Sequence, residues 1–177
     1  MTDPHESIVV LSRALDQAGD VLTAVHTDQL DRPTPCEDWT VAELVAHLVA
    51  TPGRFVQMGR GEEVDWSGRP EAADGVQVAE FRAAADDLIH QWHQRGDTDA
   101  PMADWQTAEL AVHTWDLVRA TGQEVPLDPE VAERGLAFMK QALTADNRGE
   151  AFGPQMPVAD DAPPYDRLAA WAGRDPS

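Results

Sequence analysis

Apolar residues recur at helical spacing along most of the chain. The first such segment has one apolar face, formed by Ile8, Leu11, Leu15 and Leu22. Asp3 precedes it as an N-cap residue, and Pro4 occupies the first helical position, where a missing backbone N–H costs nothing. The pattern predicts a helix from Pro4 to about Leu30.

A second helix has a clear start in the sequence. Thr40 and Glu43 have the spacing of a capping box, in which each side chain accepts a hydrogen bond from the backbone N–H of the other residue. We therefore expect a helix from Val41 to about Gly59. Pro52 lies inside it and removes one backbone hydrogen bond, so the sequence predicts a kink there.

Three further helices and a tail follow. Helical periodicity predicts helices over residues 76–94, 107–121 and 129–144, and residues 147–177 form a proline-rich tail with a final helical turn or two over 165–171. No segment alternates with a period of two for long enough to predict a sheet. The expected fold is an all-α bundle in a single domain spanning residues 1–177.

The charge balance excludes two classes of partner. With 32 Asp and Glu residues against 13 Lys and Arg residues, the formal net charge is −19. This charge repels phosphate backbones and anionic lipid headgroups, and no run of basic residues offsets it. We therefore expect binding neither to nucleic acid nor to a membrane.

The cysteine content and the first residues bear on location. Cys36 is the single cysteine, so the chain cannot form an internal disulfide, which fits a reducing compartment. The first 25 residues lack the basic start and the apolar centre of a signal peptide. We expect a cytoplasmic protein.

The helix over 107–121 contains a candidate ligand pair. Glu109 and His113 stand one turn apart on one face, and Asp116 lies on the same edge. A bundle can complete such a pair with a ligand from a facing helix. On spacing alone, the commoner interpretation is a solvated pair on the surface.

The second helix offers the missing ligand. His47 lies at the edge of the apolar face of that helix. One interpretation is a half-buried histidine that bonds to backbone or water. The other joins it to Glu109 and His113 in a two-His, one-carboxylate set, which leaves metal positions open as in catalytic zinc and non-haem iron sites.

Three separated motifs carry a family resemblance. They are the segment Thr34–Leu48 (TPCEDWTVAELVAHL), the pattern E-x-x-x-H-x-W-D-L-x-x-A-x-G over 109–122, and the tail motifs FGP at 152–154, DAP at 161–163 and GRDP at 173–176. Together they resemble the metal-binding domain of mycothiol-dependent maleylpyruvate isomerase, within the DinB-like and YfiT-like superfamily. The tail resembles a stand-alone branch that is described only as metal-binding.

The resemblance implies a fold and a site. The fold it implies is a DinB-like four-helix bundle with an additional helix and an irregular C-terminal tail. It places the metal ligands on His47, Glu109 and His113, and the metal it implies is divalent and usually zinc, with Ni²⁺, Fe²⁺ and Mn²⁺ left open. The isomerase has a second, C-terminal domain that helps to bind substrate and thiol, and the likeness does not extend to it, so isomerase activity is not an expectation.

Two function classes follow. The first is a metalloenzyme of transferase type, in which the metal takes up mycothiol or another low-molecular-weight thiol and presents it to an electrophilic substrate; a metal-dependent hydrolase is the variant in which water takes the place of the thiol. The second is a non-catalytic, metal-stabilised module that binds a small molecule or a protein. The sequence leaves both a monomer and a homodimer open.

Several other residues are candidates for a role near the same site. Asp116 is interpreted as a group that orients a ligand histidine. The alternatives are that it acts as a base or that it pairs with Arg119 or Arg60. Cys36 is interpreted as a small packed residue, with a reactive thiol beside the metal as the alternative. His90 and His93 are assigned to a wet surface. Five tryptophans are expected in the core, with the lining of a pocket as the alternative. They are Trp39, Trp92, Trp105, Trp115 and Trp171.

Overall fold

The computed structural model describes residues 3–36, 38–96, 99–148 and 152–177. Six α-helices lie within these ranges. The helices are α1 (Pro4–Thr23), α2 (Val41–Gly59), α3 (Val78–Arg95), α4 (Ala100–Thr121), α5 (Pro129–Ala142) and α6 (Pro164–Trp171). The described residues contain no strand, only one isolated bridge between Pro33 and Thr40. The predicted all-α fold is confirmed. No helix in these ranges is both long and apolar enough to cross a membrane.

Helix α4 lies at the centre of the bundle. It packs against α1, α2, α5 and α6, while α3 closes the bundle against α1 and α2. Most of its residues are buried, and they include the polar side chains of Gln106, Thr107, His113, Thr114 and Asp116. A central helix with this many buried polar groups is unusual for a plain core, and it positions the site described below.

Two helix boundaries differ from the sequence prediction. α1 ends at Thr23 and not near Leu30, because a separate 3-10 turn follows at Thr27–Gln29, with the Gln29 side chain accepting a hydrogen bond from the His26 N–H. α4 begins at Ala100 and not at Thr107. Pro101 occupies the first turn of this longer helix, where no backbone donor is required.

The start of α2 agrees with its sequence signature. The backbone N–H of Thr40 donates to Glu43 Oε2 at 2.8 Å, and the Glu43 N–H donates to Thr40 Oγ1 at 3.4 Å. Arg69, in the loop after α2, donates from Nη2 to Glu43 Oε2 at 2.9 Å and to the Asp38 carbonyl at 2.8 Å. The capping box thus also anchors the 60–77 loop to the start of α2. The helix continues through Pro52, and the kink stays a prediction.

This anchor makes the stability of the protein depend on pH in the acid range. Hydrogen bonds from Arg69 and Thr40 lower the pKa of Glu43 from 4.5 to about 2. A carboxyl whose pKa is lower in the folded state stabilises the fold above its unfolded-state pKa, and that stabilisation disappears as the pH falls from about 4.5 toward 2. We expect Glu43→Gln to be less stable than the wild type at pH 7 and to lose less stability across that acid range, as measured by urea unfolding at a series of pH values.

The partner variant separates the ion pair from the cap. Arg69→Gln should flatten the same part of the pH profile, because its guanidinium is the largest cause of the lowered Glu43 pKa, while the Thr40 and Glu43 bonds remain. If both variants kept the acid dependence of the wild type, the Glu43 assignment would be wrong.

The tail folds back onto the bundle through two glycines. Gly173 has φ +85°, and a Cβ on it would come within 2.7 Å of the Gly153 backbone, so a larger residue does not fit. Arg148 Nη1 donates to the carbonyls of Gly153 at 3.1 Å and Trp171 at 2.6 Å. This close crossing directs the next residue, Arg174, into the interior, where it is only 5% exposed.

Candidate metal centre

Three side chains from two helices converge on one point. His47 Nε2 of α2 lies 2.9 Å from Glu109 Oε1 of α4, and His113 Nε2, one turn further along α4, lies 3.1 Å from the same oxygen. The two imidazole rings have centroids 4.6 Å apart, and the ligand atoms of all three residues lie within 4.8 Å of one another. Two imidazole nitrogens and a carboxylate oxygen at such separations form a set that a divalent ion can bridge with small side-chain movements.

The outer nitrogen of His113 is held by a buried carboxylate. His113 Nδ1 lies 3.2 Å from Asp116 Oδ2. Because a carboxylate can only accept, Nδ1 carries the proton of this bond, and a neutral His113 then presents the Nε2 lone pair to the site. A carboxylate that orients a histidine in this way is the usual partner of a metal ligand.

Asp116 is in turn fixed by the tail. Arg174 donates from Nε to Asp116 Oδ1 at 3.2 Å and from Nη2 to Oδ2 at 3.0 Å, and its Nη1 bonds to the Ala172 carbonyl at 2.9 Å. Asp116 is fully buried, with no exposed surface. A chain of contacts therefore runs from the tail to the candidate metal centre through Arg174, Asp116 and His113.

The pKa values in the site follow from this charge arrangement. Burial works to lower the pKa of His113, but Glu109 and Asp116 outweigh it and hold that pKa well above the ordinary value. Burial likewise works to raise the pKa of Glu109, but the two imidazoles hold that pKa well below its ordinary value. The pKa of His47 is lowered, because burial outweighs its single bond to Glu109. Two anionic carboxylates thus face the ring nitrogens, an environment that attracts a cation.

The three candidate ligands line a cavity of about 590 Å³. Its walls include the rings of Trp39, Trp66 and Trp105, and Phe152 and Arg174 come from the tail. Trp66 and Trp105 contact each other edge to face at 5.7 Å, and Trp39 stacks on His113 at 6.1 Å. The cavity gives a small molecule access to the candidate metal centre between these aromatic rings and polar residues that include Asp38, Ser67 and Arg69.

Comparison with known proteins assigns the family. A family model described as the mycothiol maleylpyruvate isomerase N-terminal domain matches residues 11–118. The chain belongs to this family. The matched segment contains His47, Glu109, His113 and Asp116, whereas Arg174 lies beyond it. The resemblance found in the sequence motifs is therefore confirmed for this isomerase N-terminal domain family, which is metal-binding.

Two relatives match the chain over nearly all of its residues. Uncharacterized proteins from two strains of Mycobacterium tuberculosis, CDC 1551 and H37Rv, are each 33% identical to the chain over 186 aligned positions, covering 96% of this chain and 98% of the relative. The likeness to these relatives therefore includes the tail as well as the family domain. No solved structure matches the chain significantly.

The structure brings together all four residues that the sequence assigned to the site. His47, Glu109 and His113 share one point, and their role as metal ligands stays a prediction. Asp116 contacts His113 as expected, but its cationic partner is Arg174 and neither Arg119 nor Arg60, because the tail crosses over the end of α4. His90 and His93 are exposed on α3, as the sequence indicated.

Some residues near the site were not anticipated. Trp66 lines the cavity although it lies outside every predicted helix. An isolated tryptophan among polar residues between two helices is the signal that could have found it. Trp39 and Trp105 line the cavity, which was the alternative given for them, whereas Trp92 and Trp115 occupy the core positions that were expected. Trp92 satisfies its indole N–H with Gln106 at 3.0 Å.

Cys36 belongs to a second group of potential ligands. It is buried, as expected of a packed residue, and its sulfur lies within 4.8 Å of ligand atoms of both His113 and Asp116. Using this group would require Asp116 to leave its two bonds to the buried Arg174, at a cost of several kcal/mol for an unpaired buried charge. The group of His47, Glu109 and His113 needs no such rearrangement, so it is the better candidate.

Proposed function

We propose that this protein binds one divalent metal ion through His47, Glu109 and His113 and uses it in thiol-dependent transferase chemistry. The observation that carries the proposal is the convergence of these three side chains at the wall of an accessible cavity, with His113 oriented by the buried Asp116. Two imidazoles and a carboxylate suit Zn²⁺, and also Ni²⁺, Fe²⁺ and Mn²⁺. Three protein ligands leave at least one position for a small molecule.

The chemistry follows from the open position. A divalent ion bound here would hold a coordinated thiol as its thiolate, which is the nucleophilic form. The chain itself orients His113 through Arg174 and Asp116, and the rings of Trp39, Trp66 and Trp105 line the cavity beside the three ligands. The proposed cosubstrates are mycothiol or another low-molecular-weight thiol and an electrophile that enters the same cavity.

Hydrolysis is less well supported. Glu109 as a ligand is not available as a base, so a hydrolase would need Asp116 or another group to accept a proton from water. Both oxygens of Asp116 are bonded to Arg174, one also contacts His113, and the side chain has no exposed surface. Asp116 is not among the residues that line the cavity, so it is a positioning residue in this proposal.

Cobalt substitution tests the open thiol position. With Co²⁺ as the bound metal, addition of mycothiol, or of 2-mercaptoethanol in parallel, is expected to produce a sulfur-to-metal charge-transfer band, because a thiolate ligand changes the metal spectrum directly. His93→Ala, which alters an exposed histidine, is the control and should give the same band. Stoichiometric Co²⁺ whose spectrum no thiol alters would favour the non-catalytic binding module.

Replacing the carboxylate ligand should weaken the metal site itself. In Glu109→Gln, a neutral amide takes the place of an anionic oxygen donor, so we expect a loss of Zn²⁺ affinity larger than the ~10–100-fold that a lost supporting hydrogen bond costs. Competition with a chromophoric chelator measures it. Glu133→Gln, on the exposed side of α5, should leave affinity unchanged; equal affinities in the two variants would remove Glu109 from the ligand set.

A further inference from the structure

A second, smaller chamber lies beside the candidate metal centre. It has a volume of about 130 Å³ and lies between α4 and the C-terminal part of α5. Its walls are almost entirely apolar, with Val112, Phe138, Met139 and Leu143 among them. It shares Trp105, Glu109 and Phe152 with the larger cavity, so the two spaces adjoin at a candidate metal ligand.

The size of the chamber limits what it can hold. An engineered apolar cavity of ~150 Å³ in another protein binds benzene. At about 130 Å³, this chamber is close to that size and suits one phenyl ring or an alkyl group of up to ~6 carbons. Glu109 is its only charged wall residue among those described, and its Oε1 is already bonded to the two histidines.

The charges around the larger cavity favour an apolar group over an acidic one. Two arginines line that cavity in the described part of the chain, and each is engaged by a protein carboxylate: Arg69 by Glu43, and Arg174 by Asp116. An anionic substituent would meet arginines whose charge is already balanced by a protein carboxylate, and it would approach a chain of net charge −19. An apolar substituent requires no hydrogen-bond partner, and its transfer from water into the chamber is favourable in itself.

We propose that this chamber is a subsite for an apolar group of about six carbons, alkyl or phenyl, on the ligand whose reactive end lies at His47, Glu109 and His113. The position of the reactive end rests on the proposed function, whereas binding of the apolar group does not require a metal. The group belongs either to the thiol or to the electrophile, and the experiments below separate these two sources.

Binding of an uncharged probe tests the chamber alone. Fluorobenzene, followed by ¹⁹F NMR, should bind saturably to the wild-type protein with or without metal. Ala142→Leu places three more carbons in the chamber and should weaken this binding at least tenfold. Ala137→Leu makes the same change on the exposed surface of α5 and should leave it unchanged. No saturable binding to the wild type, or equal binding by all three proteins, would overturn the subsite.

A series of n-alkanethiols tests the link to the metal. With Co²⁺-loaded protein, affinity read from the charge-transfer band should rise about fourfold per methylene and level off near six carbons. The plateau should come at a shorter chain in Ala142→Leu and at a longer chain in Val112→Ala, which enlarges the chamber. This result supports the subsite and assigns the apolar group to the thiol.

The remaining outcomes are distinguishable. If thiols bind Co²⁺ with no dependence on chain length while fluorobenzene still binds, the subsite stands and the apolar group belongs to the electrophile. If no thiol binds Co²⁺ while fluorobenzene binds, the subsite stands and the thiol-transferase proposal fails. If thiols bind and fluorobenzene does not, the subsite fails and the transferase proposal stands.

Discussion

The His47→Ala and His113→Ala double variant is expected to lose its bound metal, falling from about one divalent ion per chain to background. These histidines supply two of the three proposed ligands, and Glu109 alone does not hold a divalent ion against solvent. Elemental analysis of purified protein after dialysis measures the change.

The control replaces two histidines that lie on another helix, away from the candidate metal centre. His90→Ala with His93→Ala removes two exposed imidazoles from α3 and should leave the metal content unchanged. The fold should persist in both double variants, since the buried core draws on all six helices. Full metal content in the His47 and His113 double variant would disprove the ligand assignment.

Arg174→Met is expected to destabilise the protein by ~3–5 kcal/mol, which is the usual cost of removing one partner of a buried ion pair. Asp116 has no exposed surface, and both of its oxygens accept from Arg174, so its charge would be left in the interior with His113 as its one remaining partner among the described residues. Urea unfolding of metal-free protein measures the loss without a contribution from bound metal.

A second substitution distinguishes loss of charge balance from loss of packing. Adding Asp116→Asn to Arg174→Met removes the stranded charge, so the double variant should regain part of the lost stability. Arg119→Met, which removes an exposed guanidinium on the same helix as Asp116, should have little effect. If Arg174→Met behaved like Arg119→Met, the buried pair would not stabilise the fold as argued.

The residues that sequence reasoning placed well are those with local signals. The capping box of Thr40 and Glu43 defines the start of α2, and the spacing of Glu109 and His113 puts both on one face of α4, because helix geometry alone determines these relations. The family motifs then joined His47 to that pair. No periodicity relates two positions on different helices, so the convergence itself needed the resemblance or the fold.

The residues that sequence reasoning missed are positioned by the paths of loops and of the tail between helices. Arg174 lies 58 positions beyond Asp116, and its approach depends on the crossing of Gly153 and Gly173, which leaves no periodic signal. Trp66 reaches the cavity because Arg69 ties its loop to the start of α2. The early start of α4 was missed for a different reason, since proline marks both loops and first helical turns.

Trp39 gives the candidate metal centre a built-in optical probe. Its indole stacks on the His113 ring at 6.1 Å, with 17° between the planes, and lies 5.1 Å from the His47 ring. Indole emission is quenched by a neighbouring imidazolium and by paramagnetic ions at such short range. Trp66 also lies 6.3 Å from the His47 ring, so these two of the six tryptophans respond to what occupies the imidazoles. A change in the emission of the unlabelled protein can therefore be used to screen ions and small molecules in solution.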